Sequence, residues 1–544
     1  MPKISVSVKH AGKTHHLELD PDEPATVFKQ DVYQLTGVPP DRMKVMIKGG
    51  VLKDDTNWRT VGPKPNQVFM VIGAAGELPK PPSKPVVFME DMDESALAEA
   101  LRMPVGLKNL GNTCYMNATV QALRAIPELQ DALKRYTPSL GGGPQSMLTG
   151  AMRDLYDSMG KTTEGFPPLL FLGVLRQVVP QFNEQSRAGA GPAQQDLHAI
   201  SLMIQMAPET DAEECWTQIM NALSVLPGTE APNSSNQKKF VEQFITGEMT
   251  SEFRCVEAPE EPPTTMKEKI TKVTCNISKD TNFMHSGIMG SLDQTIEKHS
   301  PTLGREAQYT QHSRISRLPS NIVVHMVRFH WRRDIGKKAK IMRKVKFPFE
   351  LDAMDLVTDE LKRKLADCNG KIKEIERGRA ERRKVRKKTK QVVDSSAVTS
   401  ASTTEGSSSG NPGASGDVSM TDAVTVAAGE LEDENVLREK EKKAFELTID
   451  PDLRADTGAS VTGLFELCGI VTHKGASADS GHYIGFVKKD TFHPPKSYLE
   501  EGDEDWYQFD DEKVSVVTQE KVSTLDGGGE SASAYILLYR EKRL

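Results

Sequence analysis

Hydrophobic and polar positions alternate from the start of the chain. Ile4, Val6 and Val8 share one face, Ala11-Gly12 supplies a turn, and Leu17 and Leu19 alternate again, which predicts a β-hairpin. Pro24 opens a helical stretch with Val27, Phe28, Val32 and Leu35 on one side, and Gly37 with Pro39-Pro40 stops it. Residues 45–47 read as a short strand ending at Gly49-Gly50, and residues 68–72 as a final apolar strand. Hairpin, helix, strand and strand within residues 1–76 is the order of a β-grasp fold.

Residues 77–100 read as a linker, and their first part, ELPKPPSKP at 77–85, is proline-rich and semi-rigid. A much larger region covers 101–544, and its hydrophobic pattern breaks at about 370–445. Nine of the fourteen residues 377–390 are basic, and residues 395–420 are mostly Ser, Thr, Gly and Ala. Such composition buries too little apolar surface to offset ordering entropy, so a charged helix followed by disorder is expected. The basic run suits a localisation signal or a nucleic-acid patch, but a solvated helix face is the simpler reading.

At 544 residues the chain has room for two to four domains, and 37% hydrophobic residues suits real cores diluted by polar linker. A net charge of −7 argues against a general nucleic-acid binder. Six cysteines, at 114, 215, 255, 275, 368 and 468, form no CxxC pair, so a zinc ribbon has no support. They are also too sparse for a secreted disulfide framework. No run of 18 apolar residues occurs, and the first residues lack an apolar signal core. The expectation is a soluble intracellular protein with no metal or cofactor and no membrane or nucleic-acid partner.

The sharpest local signal is Gly106-Leu107-Lys108-Asn109-Leu110-Gly111-Asn112-Thr113-Cys114-Tyr115-Met116-Asn117, which leads into a helical pattern with Met116, Val120 and Leu123 on one face. Cys114 then falls in the first turn of a helix, where the dipole and unpaired N–H groups favour a thiolate. Most lone cysteines are small buried hydrophobes; this setting reverses that expectation. Farther on, His482, Ile484 and Phe486 alternate as in a strand. A thiolate beside a histidine is the usual cysteine-protease nucleophile.

The whole string from Gly106 to Asn117 resembles the cysteine box of the ubiquitin-specific proteases. Three more segments resemble the same family: Arg317-Leu318-Pro319 with Val327-Arg328-Phe329 and Lys346-Phe347-Pro348; Val471-Thr472-His473-Lys474-Gly475 with Ser480-Gly481-His482-Tyr483; and Trp506-Tyr507-Gln508-Phe509-Asp510-Asp511. Residues 1–76 resemble ubiquitin, including Gly37-Val38-Pro39-Pro40-Asp41 and Leu52-Lys53-Asp54-Asp55. Their tail, Gly73-Ala74-Ala75-Gly76, runs into more chain, which implies a docking module and not a conjugated modifier. The resemblance implies an α+β protein: a β-grasp ubiquitin-like domain, then a papain-like catalytic domain of fingers, palm and thumb. Within the family the chain is similar to the proteasome-associated member. That implies a deubiquitinating hydrolase of the cytoplasm and nucleus, with ubiquitin, polyubiquitinated proteins and the 26S proteasome regulatory particle as partners.

Roles implied by the resemblance are Cys114 as nucleophile, His482 as general base, Asp510 as its orienter with Asp511 as the other candidate, and Asn109 as oxyanion donor. Asn109 also suits a plain turn-former. Tyr483, Gln195 and Asp196 are implied at the channel for ubiquitin's C-terminal tail, and Trp331–Ala339 and Gly475–Gly481 as flanking gates. Met46 and Val71 stand where ubiquitin carries its apolar recognition surface. His473 matches the family but is given no catalytic role. The alternative is a catalytically inactive ubiquitin- or proteasome-binding scaffold. Retention of Cys, His, Asp and Asn at the motif positions speaks against it.

One departure stands out. The family follows Gln-Gln-Asp at once with Ala and an acidic position, whereas here Asp196 is followed by a largely apolar stretch before Asp211-Ala212-Glu213-Glu214-Cys215-Trp216. Removing residues 197–211 restores the uninterrupted pattern, so that stretch is either an insertion or an in-frame unspliced segment. Either Asp196 or Asp211 then meets the substrate tail.

Overall fold

The computed structural model describes residues 3–48, 50–73, 97, 103–138, 141–184, 211–229, 238–332, 337–399, 433–477, 480–495 and 502–544. They fall into two compact units, Met1–Met92 and Asp93–Leu544.

In the first unit, β1 (Ile4–His10) and β2 (Lys13–Leu19) form the expected hairpin. Helix α1 (Ala25–Thr36) ends where Gly37 adopts φ +71° and its N–H bonds to the Tyr33 carbonyl, a left-handed stop that glycine makes without strain. Strands β3 (Lys44–Ile47) and β4 (Gly50–Val51), a one-turn helix α2 (Trp58–Val61) and β5 (Val68–Ile72) complete the unit. The sheet order is β2-β1-β5-β3-β4, with β1 and β5 parallel at its centre. This is the β-grasp arrangement.

Two details differ from the pattern reading. Helix α1 buries Ala25, Phe28, Lys29 and Val32, while Val27 and Leu35 are exposed. The buried stripe at i, i+3, i+4 and i+7 admits Lys29 because its ammonium reaches Asp54 at 2.6 Å. In β5 the pleat sends Phe69 and Val71 inward, so Val71 is only 4% exposed and cannot be a surface contact. Val68, Met70 and Ile72 face outward instead and join Met46 as exposed apolar side chains.

The second unit begins with helices α3 (Cys114–Leu123), α4 (Pro127–Arg135), α5 (Pro144–Met159), α6 (Leu169–Val178) and α7 (Ala212–Leu223). All ten residues of α3 are buried, not one face alone. A helix buried all round needs partners for its polar side chains, which Asn117, Thr119 and Gln121 find in Asp511 and in the Tyr115 and Val105 carbonyls, and cover on every side. Strands of the large sheet supply it on one side, and α7 packs with α3 in the same core.

A four-stranded antiparallel sheet follows, ordered β7-β6-β10-β9, from β6 (Gly247–Cys255), β7 (Thr264–Ile270), β9 (Asp293–Ser300) and β10 (Arg305–Arg317). Its far end has a small core of Cys255, Ala258, Ala307 and Tyr309. Both Ser300 and Tyr309 donate to Glu261 there, at 2.5 Å each.

The main sheet runs β18-β17-β16-β15-β19-β11-β8. Its strands are β8 (Val273–Asn276), β11 (Asn321–Val327), β15 (Leu464–Ser477), β16 (Ser480–Lys488), β17 (Trp506–Asp510), β18 (Lys513–Val517) and β19 (Ser533–Glu541). A hairpin of β12 (Phe329–Arg332) and β13 (Lys337–Lys340) joins β15 through an Ala339–Ser477 bridge, and the short β14 (Glu350–Asp352) also pairs with β15. Alternating residues of β16 enter different cores: Tyr483 and Val487 meet the helical lobe, Ile484 and Phe486 the other face. Helical lobe, central sheet and projecting sheet match the expected thumb, palm and fingers.

Helix α8 (Asp359–Thr399) covers much of the expected insertion. Leu361, Leu365, Cys368, Ile372 and Ile375 are buried in the second core, so its first turns belong to the domain. Beyond them Arg379 pairs with Glu441 at 2.7 Å and Arg382 with Glu434 at 3.1 Å, both acids on α9 (Glu434–Glu446). Part of the basic run is therefore neutralised within the fold and is not simply solvated. Burial would raise the Glu434 carboxyl, but Arg382, Arg386 and Arg438 hold it below its ordinary value. The remainder of the expected insertion, residues 400–432, lies outside the described residues.

Candidate active site

The cysteine box approaches its helix along the turn between β17 and β18. Leu107 N–H bonds to the Asp511 carbonyl at 3.0 Å and Lys108 N–H to the Phe166 carbonyl at 2.9 Å. Glycine is required at 106: a β-carbon there would lie 2.4 Å from the Glu512 carbonyl oxygen and 2.6 Å from that of Asp511. Gly111 at φ +95° and Asn112 at φ +52° then reverse the chain, and α3 starts at Cys114 itself. The nucleophile candidate is the first helical residue, where amide N–H groups have no intrahelical carbonyl to meet. Its side chain is buried.

Strand β16 lies directly under this helix. A β-carbon on Gly485 would sit 3.2 Å from the Ala118 carbonyl, one turn beyond Cys114. On the same strand, His482 Nε2 meets Asp510 Oδ1 at 2.6 Å. This leaves Nδ1 as the ring nitrogen available to a thiol. Asp510 pairs with Lys513, so only Asp511 and Glu512 make the turn, with Asp511 at φ +52°.

The two adjacent acids diverge. Asp511 Oδ1 accepts from Asn117 Nδ2 at 2.8 Å, and Asp511 Oδ2 accepts from Asn109 Nδ2 at 2.9 Å. Asn109 Oδ1 in turn accepts from the N–H groups of Gly111 and Thr113, at 3.0 and 3.2 Å. Asn109 thus shapes the turn and also keeps its amide nitrogen fixed in direction, with a second N–H unassigned by these bonds. The sequence reading overlooked Asn117. Its signal was an asparagine in the first turn of the helix, three residues past Cys114. His482, Asp510 and Asp511 place ligand atoms within 4.8 Å of one another. Both carboxylates are already committed to protein donors, so the geometry speaks for a hydrogen-bonded site over a metal centre.

His473 sits in β15, fully buried, between the rings of Phe329 at 5.0 Å and Tyr483 at 4.9 Å. Burial, with the nearby charges of Lys340 and His482, pushes its imidazole down to about 3. It stays neutral at working pH and serves as packing. Gly481 allows the close approach: a β-carbon there would come within 2.5 Å of His473 Nε2. Tyr483 lies in this aromatic layer with Tyr535, at 6.3 Å between ring centres.

Gln195 and Asp196 lie outside the described residues. Asp211 is described and caps α7, accepting the Glu213 N–H at 2.8 Å. Its two carboxylate oxygens also take the Tyr535 hydroxyl, each at 2.8 Å. Tyr535 was not singled out in the sequence, and no local motif marks it. The described parts of the two expected gate segments, residues 331–332 and 337–339 and residues 475–477 and 480–481, lie on paired strands, and residues 333–336 and 478–479 lie outside the described residues. Lys340, just after the first segment, donates to the carbonyl of His473, two residues before the second, at 2.8 Å and to that of Ser531 at 3.2 Å.

A buried helix-initial cysteine, a histidine–aspartate pair and an asparagine anchored beside them define a cysteine hydrolase. The family model described as ubiquitin carboxyl-terminal hydrolase matches residues 105–539, and that of the ubiquitin family matches residues 4–75. The chain belongs to the ubiquitin carboxyl-terminal hydrolase family. It is 38% identical over 540 residues to ubiquitin carboxyl-terminal hydrolase 6 of Schizosaccharomyces pombe, covering 99% of both chains. It is 36% identical over 545 residues to ubiquitin carboxyl-terminal hydrolase 6 of Arabidopsis thaliana, again covering 99% of both. Ubiquitin carboxyl-terminal hydrolase 14 of Caenorhabditis elegans is 29% identical over 543 residues, 99% of this chain and 93% of that one. The protein is a deubiquitinating cysteine protease with an N-terminal ubiquitin-like domain.

Proposed function

We propose that the chain cleaves the isopeptide bond between ubiquitin's C-terminal glycine and a lysine amine, using Cys114, His482, Asp510 and Asn109. Cys114 Sγ attacks the glycine carbonyl carbon after His482 Nδ1 takes the thiol proton. The oxyanion is held by Asn109 Nδ2 and the Cys114 N–H. His482 passes its proton to the leaving amine, giving a thioester, and water then releases ubiquitin's carboxylate and restores the thiol. Asp510 holds the imidazole tautomer and stabilises the imidazolium. Asp511 acts through Asn109 and Asn117 as a positioning residue. Tyr483, Gln195 and an acid at 196 or 211 serve the tail. Asp211 is supported by its cap position and by Tyr535.

The observation that carries this reading is the 2.6 Å bond between His482 and Asp510 on the strand beneath the Cys114 helix. Labelling with a ubiquitin-derived C-terminal electrophile tests it. Wild type should label at Cys114, Cys114→Ala should not label yet still bind ubiquitin, and His482→Ala should label far more slowly. Unlabelled wild type would favour the inactive scaffold.

The ubiquitin-like domain docks the enzyme on the proteasome regulatory particle through its outward apolar residues Met46, Val68, Met70 and Ile72. Docking raises the enzyme's effective concentration near captured conjugates. Met46→Glu with Met70→Glu should weaken capture by purified proteasomes and leave electrophile labelling intact. Unchanged capture rejects the docking assignment.

A further inference from the structure

The helix that presents Cys114 has a second end. Arg124 follows its last residue and lines an open cleft of about 850 Å³, with α4, the end of α5 and Thr491-Phe492 as its other walls. That volume falls in the range of small-molecule sites. The Arg124 guanidinium lies 4.5 Å from the Phe492 ring centre and 5.9 Å from that of Tyr156. Its one hydrogen bond among the described residues is to Gln121 Oε1 at 3.4 Å, and no carboxylate among them pairs with it.

Arginines in confined surroundings ordinarily pair with an acid, because an unneutralised desolvated charge is costly. Burial pushes this one down to about 10. Lys134, Arg153 and Lys161 line the same cleft, as do two acids, Asp154 and Asp157. The acids are already engaged, Asp154 with Arg153 at 2.7 Å and Asp157 with Lys161 at 2.6 Å. Lys134 lies 4.0 Å from Asp131, so Arg124 is the cation of the cleft lining with no acid partner among the described residues. Gln130 Nε2 and Thr491 Oγ1, in the wall, are buried and meet no hydrogen-bond partner among the described residues. The other walls are apolar, from Leu133 and Met159.

We propose that this cleft binds a small molecule with a phosphate or carboxylate head and an apolar body, the head held by Arg124 and the body against Tyr156, Phe492 and Leu133. The guanidinium fork matches either oxyanion with two parallel hydrogen bonds, and its stacking on Phe492 fixes the plane in which it offers them. Lys134 supplies a second charge from the rim. Nothing in hydrolysis at Cys114 uses this end of the helix, so the site is separate from catalysis.

Saturation-transfer NMR on the full chain tests this with four probes: phenyl phosphate, phenylacetate, inorganic phosphate and benzyl alcohol. At constant ionic strength, phenyl phosphate or phenylacetate should bind saturably and more tightly than inorganic phosphate or benzyl alcohol. Whichever of the two binds better names the head group. Arg124→Gln should weaken the better probe about tenfold or more. Because Arg124 also packs on Phe492, Lys134→Gln is the second variant. Its side chain is exposed, so folding is spared, and a weakening of about threefold is expected. No saturable binding by either anion, equal binding of benzyl alcohol, or affinity untouched by both substitutions overturns the proposal.

Discussion

Gly106→Ala should damage catalysis without touching any reacting group. The added methyl would begin 2.4 Å from the Glu512 carbonyl oxygen and 2.6 Å from that of Asp511. Ordinary carbon–oxygen contacts lie at about 3.3 Å or more, so something must move by about 0.9 Å. Both obstacles are backbone and cannot rotate away. The Asp511 carbonyl is bonded to the Leu107 N–H, and the turn is held between the β17 and β18 strands. Replacing glycine by alanine also restricts the unfolded chain, which favours folding by about 0.4–1 kcal/mol. The overpacking cost of about 1–3 kcal/mol outweighs this, for a modest net loss of stability. Catalysis suffers more, because the displaced turn carries Asp511 and follows directly on Asp510. A misplacement of about 1 Å in a catalytic constellation can cost about 10²-fold. Hydrolysis of a ubiquitin C-terminal amide should show kcat down by about 10- to 100-fold with KM little changed, beside a lower urea midpoint. A kcat within about twofold of wild type, with an unchanged midpoint, refutes the argument that this turn is wedged against the cysteine box.

Asp510→Asn should lower kcat by about 10³-fold or more with KM little changed, since it removes the carboxylate that orients the imidazole. Asp511→Asn should cost less; equal losses of kcat for both variants would erase the distinction. Lys340 is buried, and burial, with Arg328 adding to it, pushes its ammonium down to about 8 from an ordinary 10.5. Between those values the unfolded chain holds the proton more tightly, so this group makes stability rise with pH there, and Lys340→Met should flatten the rise in urea midpoint between pH 8 and pH 10. Identical slopes would show that Lys340 does not titrate there. Deleting residues 197–211 brings Asp196 to the cap of α7, where it should take over the bonds to the Glu213 N–H and the Tyr535 hydroxyl. The shortened chain should therefore hydrolyse at least as well as the full one, and loss of activity would assign the stretch a function.

Much of the fold was legible because its signals are local. The alternation in β1 and β2, the glycine stop at Gly37 and the Gly-Asn turn before Cys114 each act over a few residues. Burial was less legible. Periodicity gives the spacing of a stripe but not its phase, so Val27 and Leu35 were placed inward and Lys29 was not. In β5 a shift of one residue separates Val71 from the exposed Met70 and Ile72. Within the site, motifs brought Cys114, His482 and the acidic pair to notice. The choice between Asp510 and Asp511 depends on the direction of two consecutive side chains at a turn, which no pattern encodes. Asn117, Tyr535 and Arg124 were missed because their partners lie elsewhere in the chain or outside the protein.

The length and cover of α3 also bear on when the enzyme becomes active. Ten residues are too few for a lone helix to persist in water. Every face of this one is covered by other elements, and the bond from Asn109 to Asp511 spans 402 residues. Synthesis proceeds from the N-terminus, and contacts so distant in sequence form late. The ubiquitin-like unit has all its strands before residue 92 and can fold while the ribosome is still working. The thiol at position 114 has neither its helix nor its histidine until the last hairpins emerge. In a nascent chain the ubiquitin-like unit is thus complete before the thiol can act, and truncated products of interrupted synthesis lack hydrolytic activity.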